Sequence, residues 1–147
     1  MMYPKMKTGI ITVAFLFFTV NLTATHRESS EKGISFTDKT YESALQMAKE
    51  SNKVVFMAFH AEWCGFCTKL KENTFPDEQV GKLFNQYFIN LSVDIEKGEG
   101  VSLKEKYNVN RYPTLIFVTP EGEIIKESRG YKKPDKMMGL AQEVLNL

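Results

Sequence analysis

Cys64 and Cys67 are the only cysteines in the chain, and they sit in Trp63-Cys64-Gly65-Phe66-Cys67. The segment follows an apolar run that reads as a strand and precedes a stretch that reads as a helix. At such a junction the N–H groups and dipole of the first helical turn favour a thiolate on Cys64, which lowers its pKa and makes it a nucleophile. Cys67 falls one turn further in on the same face, where burial keeps a thiol protonated. The pair could then attack a disulfide through Cys64 and resolve the mixed disulfide through Cys67, or run the same exchange backwards. Other chemistries fit less well. A staple closing so short a loop is worth only ~2 kcal/mol, against ~3 kcal/mol for a 15-residue loop. A metal site has His60, Cys64 and Cys67 as candidate ligands but lacks a second cysteine pair. Covalent haem attachment requires a histidine after the second cysteine, where Thr68 stands.

The elements that must position this pair alternate between strand and helix. Ile34-Ser35-Phe36 reads as a short strand. Thr37 or Asp38 is placed to cap a helix with Tyr41, Ala44, Leu45 and Ala48 on one face. Lys53 to His60 is nearly continuous in apolar residues, as expected of a strand buried on both faces. The spacing predicts a helix over Cys64 to Thr74. Another helix starts at Pro76, with Asp77 and Glu78 in its first turn. Tyr87 to Val93 reads as a strand. Leu103 to Tyr107 is a short helical piece after the loop Gly98 to Gly100. Thr114 to Thr119 and Glu123 to Glu127 flank Pro120-Glu121-Gly122, a hairpin signal. Pro134 to Leu145 is an amphipathic helix. The order implies an α/β fold: a mixed sheet with helices on both faces.

The 147 residues suit one domain, and 43% apolar content supplies a core, which excludes global disorder. A net charge of +1 argues against a nucleic-acid binder that works by bulk charge. Two cysteines are too few for a disulfide-dense scaffold or a closed four-cysteine zinc site. Lys5 and Lys7 precede the apolar run Ile10 to Val20, and small residues follow it up to Ala24. Residues 1–24 therefore read as a secretory signal peptide, since the run is short of the ~20 residues a spanning helix needs. An uncleaved anchor over 10–24 is the alternative. Residues 25–33 read as a flexible lead-in and 34–147 as the domain. The sequon at Asn90-Leu91-Ser92 lies within a strand and is taken as chance.

Phe59-His60-Ala61-Glu62-Trp63-Cys64-Gly65-Phe66-Cys67 resembles the active-site segment of the thioredoxin family, and Arg111-Tyr112-Pro113-Thr114-Leu115 resembles its loop before a later strand. The likeness runs from Ser35 to Leu147. It is closer to exported single-domain relatives through Cys67-Thr68-Lys69-Leu70 and Glu72-Asn73-Thr74-Phe75. The resemblance implies a thioredoxin fold, Cys64 as nucleophile and Cys67 as resolver. It also implies a cis peptide at Pro113, a turn for which proline is the residue of low cost. By the same likeness, the Tyr112 backbone pairs with the substrate, and Trp63, Gly65 and Phe66 complete the substrate-binding surface. Two departures stand out. The acid that many thioredoxins bury beneath the second cysteine is matched by Ala58, and its lysine partner by Asn90. Glu62 or water then becomes the candidate acceptor for the Cys67 proton. Phe66 stands where strongly oxidising relatives carry a histidine, so it supplies nothing to stabilise the thiolate.

These readings give an expectation: an envelope thiol–disulfide oxidoreductase acting on protein disulfides, in the reducing or isomerising direction. It would act as a monomer, with no cofactor beyond the Cys64–Cys67 disulfide and no metal. It would draw electrons from a membrane donor protein. The rival class is a non-catalytic thioredoxin-fold chaperone or metal-binding module that uses Trp63, Phe66 and Tyr112.

Overall fold

The computed structural model describes residues 32–147. The expected signal peptide and residues 25–31 of the lead-in lie outside the described residues.

Four strands form one sheet in the order β2-β1-β3-β4. They are β1 (Val54–His60), β2 (Phe88–Asp94), β3 (Thr114–Val118) and β4 (Ile124–Arg129). β1 pairs parallel with β2 and antiparallel with β3, and β3 pairs antiparallel with β4. The helices are α1 (Tyr41–Ser51), α2 (Gly65–Lys69), α3 (Glu78–Tyr87), α4 (Gly100–Lys106) and α5 (Pro134–Leu145). A π-helical turn, Leu70–Thr74, continues α2.

Period-two alternation along β1 divides the core into layers. Val55, Met57 and Phe59 pack in one cluster with Tyr41, Ala44 and Ala48 of α1 and Leu103 of α4. Phe56 and Ala58 pack in the other with Leu70 of the π-helical turn, with Val80 and Phe84 of α3, and with Met137, Leu140 and Ala141 of α5. Because both faces are covered, the central strands are apolar throughout, and β3 has all of its residues buried. The mixed α/β sheet with helices on both faces is as the sequence implies.

Several local expectations are corrected. Ile34 to Phe36 is not a strand of the sheet; only Thr37 makes an isolated parallel bridge, to Leu91. The backbone here finds other partners. Ile34 N–H donates to Phe75 O at 2.7 Å. Ser35 N–H donates to Asn85 Oδ1 at 2.8 Å, and Asn85 Nδ2 donates to Gly33 O at 3.0 Å. Gly33 lies at φ +92°, and a Cβ there would collide with Phe75 O, so the approach needs glycine.

The cap of α1 is Thr40, whose Oγ1 accepts from Ser43 N–H at 3.2 Å, so neither Thr37 nor Asp38 serves. The helix after Cys64 is α-helical only to Lys69. Pro76 lies ahead of the α3 cap rather than in its first turn. Asp77 is that cap, its Oδ1 accepting from Gln79 and Val80 N–H at 3.0 Å each. The helix expected at Leu103 starts earlier, at Gly100, and β4 runs on to Arg129.

Candidate active site

β1 leaves the sheet at His60, and a turn closed by Cys64 N–H on Ala61 O (3.2 Å) carries the chain into α2. Cys64 is the N-cap of α2, with extended backbone (φ −85°, ψ 101°). Its Sγ accepts from Cys67 N–H at 3.2 Å, and its carbonyl accepts from Cys67 and Thr68 N–H at 3.0 and 3.1 Å. The sulfurs of Cys64 and Cys67 are bonded to each other, with 5.2 Å between Cα atoms. Cys64 is 6% exposed and Cys67 2%, so the first cysteine is the more accessible. Once reduced, the sulfur that caps the helix is the one its N–H groups would stabilise as a thiolate.

Around the pair lies an apolar rim. Trp63 is 65% exposed and Phe66 58%, unusual for residues of this size and apolarity. A Cβ at Gly65 would meet nothing within 4 Å, so the surface beside Cys64 is open to another backbone. Tyr112 stands edge-on to the Trp63 ring at 5.8 Å. The Tyr112–Pro113 peptide is cis. Thr114, next in the chain, pairs with Phe59 of β1, which sets Pro113 at the end of the sheet from which the Cys64 turn departs. Sheet register therefore gathers Trp63, Cys64, Gly65, Phe66, Cys67, Tyr112 and Pro113 at one end of the molecule.

Glu62 faces elsewhere: its exposed carboxylate is ion-paired with Lys97, which also reaches Asp94 Oδ2 at 3.5 Å. The Glu62 hydrogen bond and charge, more than Asp94, raise the Lys97 pKa. Ala58 is buried on the face that carries Leu70. The buried polar residues among those described are Thr74, Asn90 and Thr114, so none of them is a carboxylate. Asn90 Nδ2 donates to Ser35 O at 3.3 Å and Asn85 Oδ1 at 3.2 Å, while its Oδ1 is buried without a protein partner. This burial also makes Asn90 a poor glycosylation acceptor.

His60 does not join the cysteines as a ligand. Its Nδ1 lies 3.2 Å from Lys71 Nζ and its Nε2 2.9 Å from Ser92 Oγ. The ammonium can only donate, so Nδ1 accepts and the neutral ring carries its proton on Nε2. Burial first, then Lys71, hold its pKa below 6.5. Among the described residues no three His, Cys, Asp or Glu side chains are grouped to hold a metal. Sequence reasoning missed the β2–α4 turn, where Glu96 Oε1 accepts from Trp63 Nε1 at 3.0 Å. No local pattern marks that contact, because it joins distant loops.

Comparison with known proteins adds the decisive observation: the model of a thioredoxin-like domain family matches residues 41–145. The chain belongs to the thioredoxin-like family. This thioredoxin-like chain is 37% identical to a candidate disulphide-isomerase from Bacteroides thetaiotaomicron, with TM-score 0.66, covering 76% of this chain and 95% of that one. A thioredoxin from Thermus thermophilus shares the fold at TM-score 0.68 and 23% identity, over 77% of this chain and 88% of that one. Among curated proteins, it is 23% identical to the thiol:disulfide interchange protein DsbD of Haemophilus influenzae, over 97% of this chain and 31% of that protein. The thioredoxin-like chain thus spans about a third of that relative's length. Family membership and the bonded Cys64–Cys67 pair together support thiol–disulfide oxidoreductase chemistry in general. No described helix is long and apolar enough to cross a membrane.

Proposed function

We propose that the chain reduces or isomerises disulfides of protein substrates in the cell envelope, using Cys64 and Cys67 and no further cofactor. The observation that carries this reading is the Cys64–Cys67 disulfide at the start of α2, beside the cis Tyr112–Pro113 peptide. In the reduced enzyme, the Cys64 thiolate attacks one sulfur of a substrate disulfide. A Cys64–substrate disulfide forms, and the other substrate sulfur leaves as a thiolate. Cys67 then loses its proton to water, since Glu62 is engaged by Lys97 at the surface and Ala58 offers no acid. Its sulfur attacks Cys64 Sγ, the mixed disulfide breaks, and the substrate departs with both sulfurs reduced. The enzyme is left oxidised by two electrons, which a membrane donor protein returns by the same exchange. Trp63 and Phe66 present an apolar surface to the substrate, the Tyr112 backbone pairs with its strand, and open space at Gly65 admits its backbone. The DsbD relatives and the apolar run before residue 24 favour the envelope as the place of action.

Insulin reduction with dithiothreitol as donor tests this. The expected result is precipitation well above background for the wild type and at background for Cys64→Ser. A wild-type rate no faster than dithiothreitol alone would overturn the reading. Stoichiometric zinc retained by the reduced protein through dialysis would instead favour the metal-binding module.

A further inference from the structure

The turn between β2 and α4 is tied to the shoulder of the cysteine motif at several points. Ile95 N–H donates to His60 O at 3.0 Å. Lys97 pairs with Glu62 and reaches back to Asp94. Trp63 Nε1–H donates to Glu96 Oε1 at 3.0 Å. The turn is itself compact. Glu96 N–H donates to Asp94 Oδ1 at 3.0 Å, and Lys97 N–H to Asp94 O at 3.2 Å. Gly100 closes it, for a Cβ at that position would collide with Asp94 O. The Glu96 carboxylate is therefore presented from a backbone with little freedom.

Trp63 is 65% exposed, so packing alone does not fix its ring. What fixes it is a partner at each side: Glu96 at the indole N–H, and the Tyr112 ring edge-on at 5.8 Å. The indole has a single donor, and a carboxylate only accepts, so the contact defines one orientation. Tyr112 is anchored in turn, its hydroxyl donating to Val109 O at 3.2 Å.

We propose that Glu96 is a positioning residue which holds the Trp63 indole against Tyr112 as a preformed wall beside Cys64. The proposal rests on the reading of Cys64–Cys67 as an exchanging pair, and it deepens that reading by separating two substrate classes. A disulfide within a folded protein brings a peptide segment that must lie along the wall. A small disulfide brings no such segment. Glu96 thus sets the preference for protein disulfides over small ones, by ordering the wall before the substrate arrives.

Trp63 is the sole tryptophan of the chain, so tryptophan emission comes from this ring alone and is compared at one redox state of the Cys64–Cys67 pair. The test compares wild type, Glu96→Ala and Glu96→Gln for insulin reduction, for reduction of the small uncharged 2-hydroxyethyl disulfide, and for tryptophan fluorescence anisotropy. In Glu96→Ala we expect KM for insulin to rise about 3- to 10-fold with kcat retained, the change one hydrogen bond is worth. The small disulfide is reduced as before, and anisotropy falls. Glu96→Gln keeps an acceptor oxygen and restores both the insulin KM and the anisotropy. Wild-type values throughout in Glu96→Ala overturn the proposal. So does a Glu96→Gln variant that behaves like alanine, or equal losses on both disulfides. Wild-type inactivity on both disulfides overturns the exchange reading itself, whereas an active wild type with an indifferent Glu96→Ala overturns only the positioning role.

Discussion

His60 ends β1 with one ring nitrogen on Lys71 and the other on Ser92, while Asp94, Lys97 and Glu62 lie near enough to act on its charge. Burial and the Lys71 ammonium lower its pKa below 6.5, outweighing Asp94 and Glu62, which raise it. The unfolded chain binds this proton near 6.5 and the folded chain only at lower pH. The stabilisation is therefore complete above 6.5 and is lost as pH falls from there through the folded pKa. Urea midpoints should decline over that window in the wild type, and the decline should be shallower in His60→Gln. Identical slopes would remove His60 from the pH response. At this scale the sequence was legible where chemistry is local: Cys64 and Cys67 identify themselves by type, spacing and a strand-to-helix junction. Glu96 and Lys97 were not, because their roles come from contacts that join loops some thirty residues apart. Glu62 shows the same limit, since only the folded chain sets it on Lys97.

Elements whose backbone groups pair with other backbone groups could be read from pattern, and those bonded by side chains could not. β1 follows from its apolar run, β3 from the hairpin signal beside it and α5 from its amphipathic pattern. Ile34 to Phe36 has strand-like composition, yet Asn85 on α3 takes the place of a neighbouring strand for Ser35 and Gly33. Replacing Asn85 by alanine removes its hydrogen bonds to Ser35 N–H and Gly33 O, and we expect a loss of about 0.5–1.5 kcal/mol for each in urea unfolding. Amide exchange at Ser35 should quicken while exchange in β3 is governed by global unfolding; equal changes at both would contradict this local role of Asn85. The π-helical turn after α2 was also unmarked, being an irregularity inside a run of helix formers. Thr74 at its end is fully buried and donates to Lys132 O at 2.6 Å, which ties the cysteine helix to the start of α5. The aromatic cluster of the same layer, Phe56, Phe84, Phe88 and Phe117, is buried at 0–2% exposure. Phe84→Ala should cost about 3–5 kcal/mol, read from the same denaturation midpoints.

Across the whole molecule, the sheet order β2-β1-β3-β4 brings position 64 and position 113 to one end, although they are far apart in the chain. The fold supplies a helix N-terminus to Cys64 and burial to Cys67, but no buried acid among the described residues and no histidine between the cysteines. With nothing beyond the helix to stabilise the thiolate, the couple should equilibrate with glutathione nearer the roughly −270 mV of a reductant than the roughly −120 mV of an oxidant. A value at the oxidising end would reverse the proposed direction. The division of labour between the cysteines is tested most directly by trapping. Cys67→Ser, reduced and mixed with a disulfide-bonded protein, should accumulate a covalent adduct through Cys64, seen as the summed mass and released by dithiothreitol. Cys64→Ser should form little under the same conditions. An adduct that forms equally through either cysteine, or through neither, would contradict Cys64 as the nucleophile and Cys67 as the resolver.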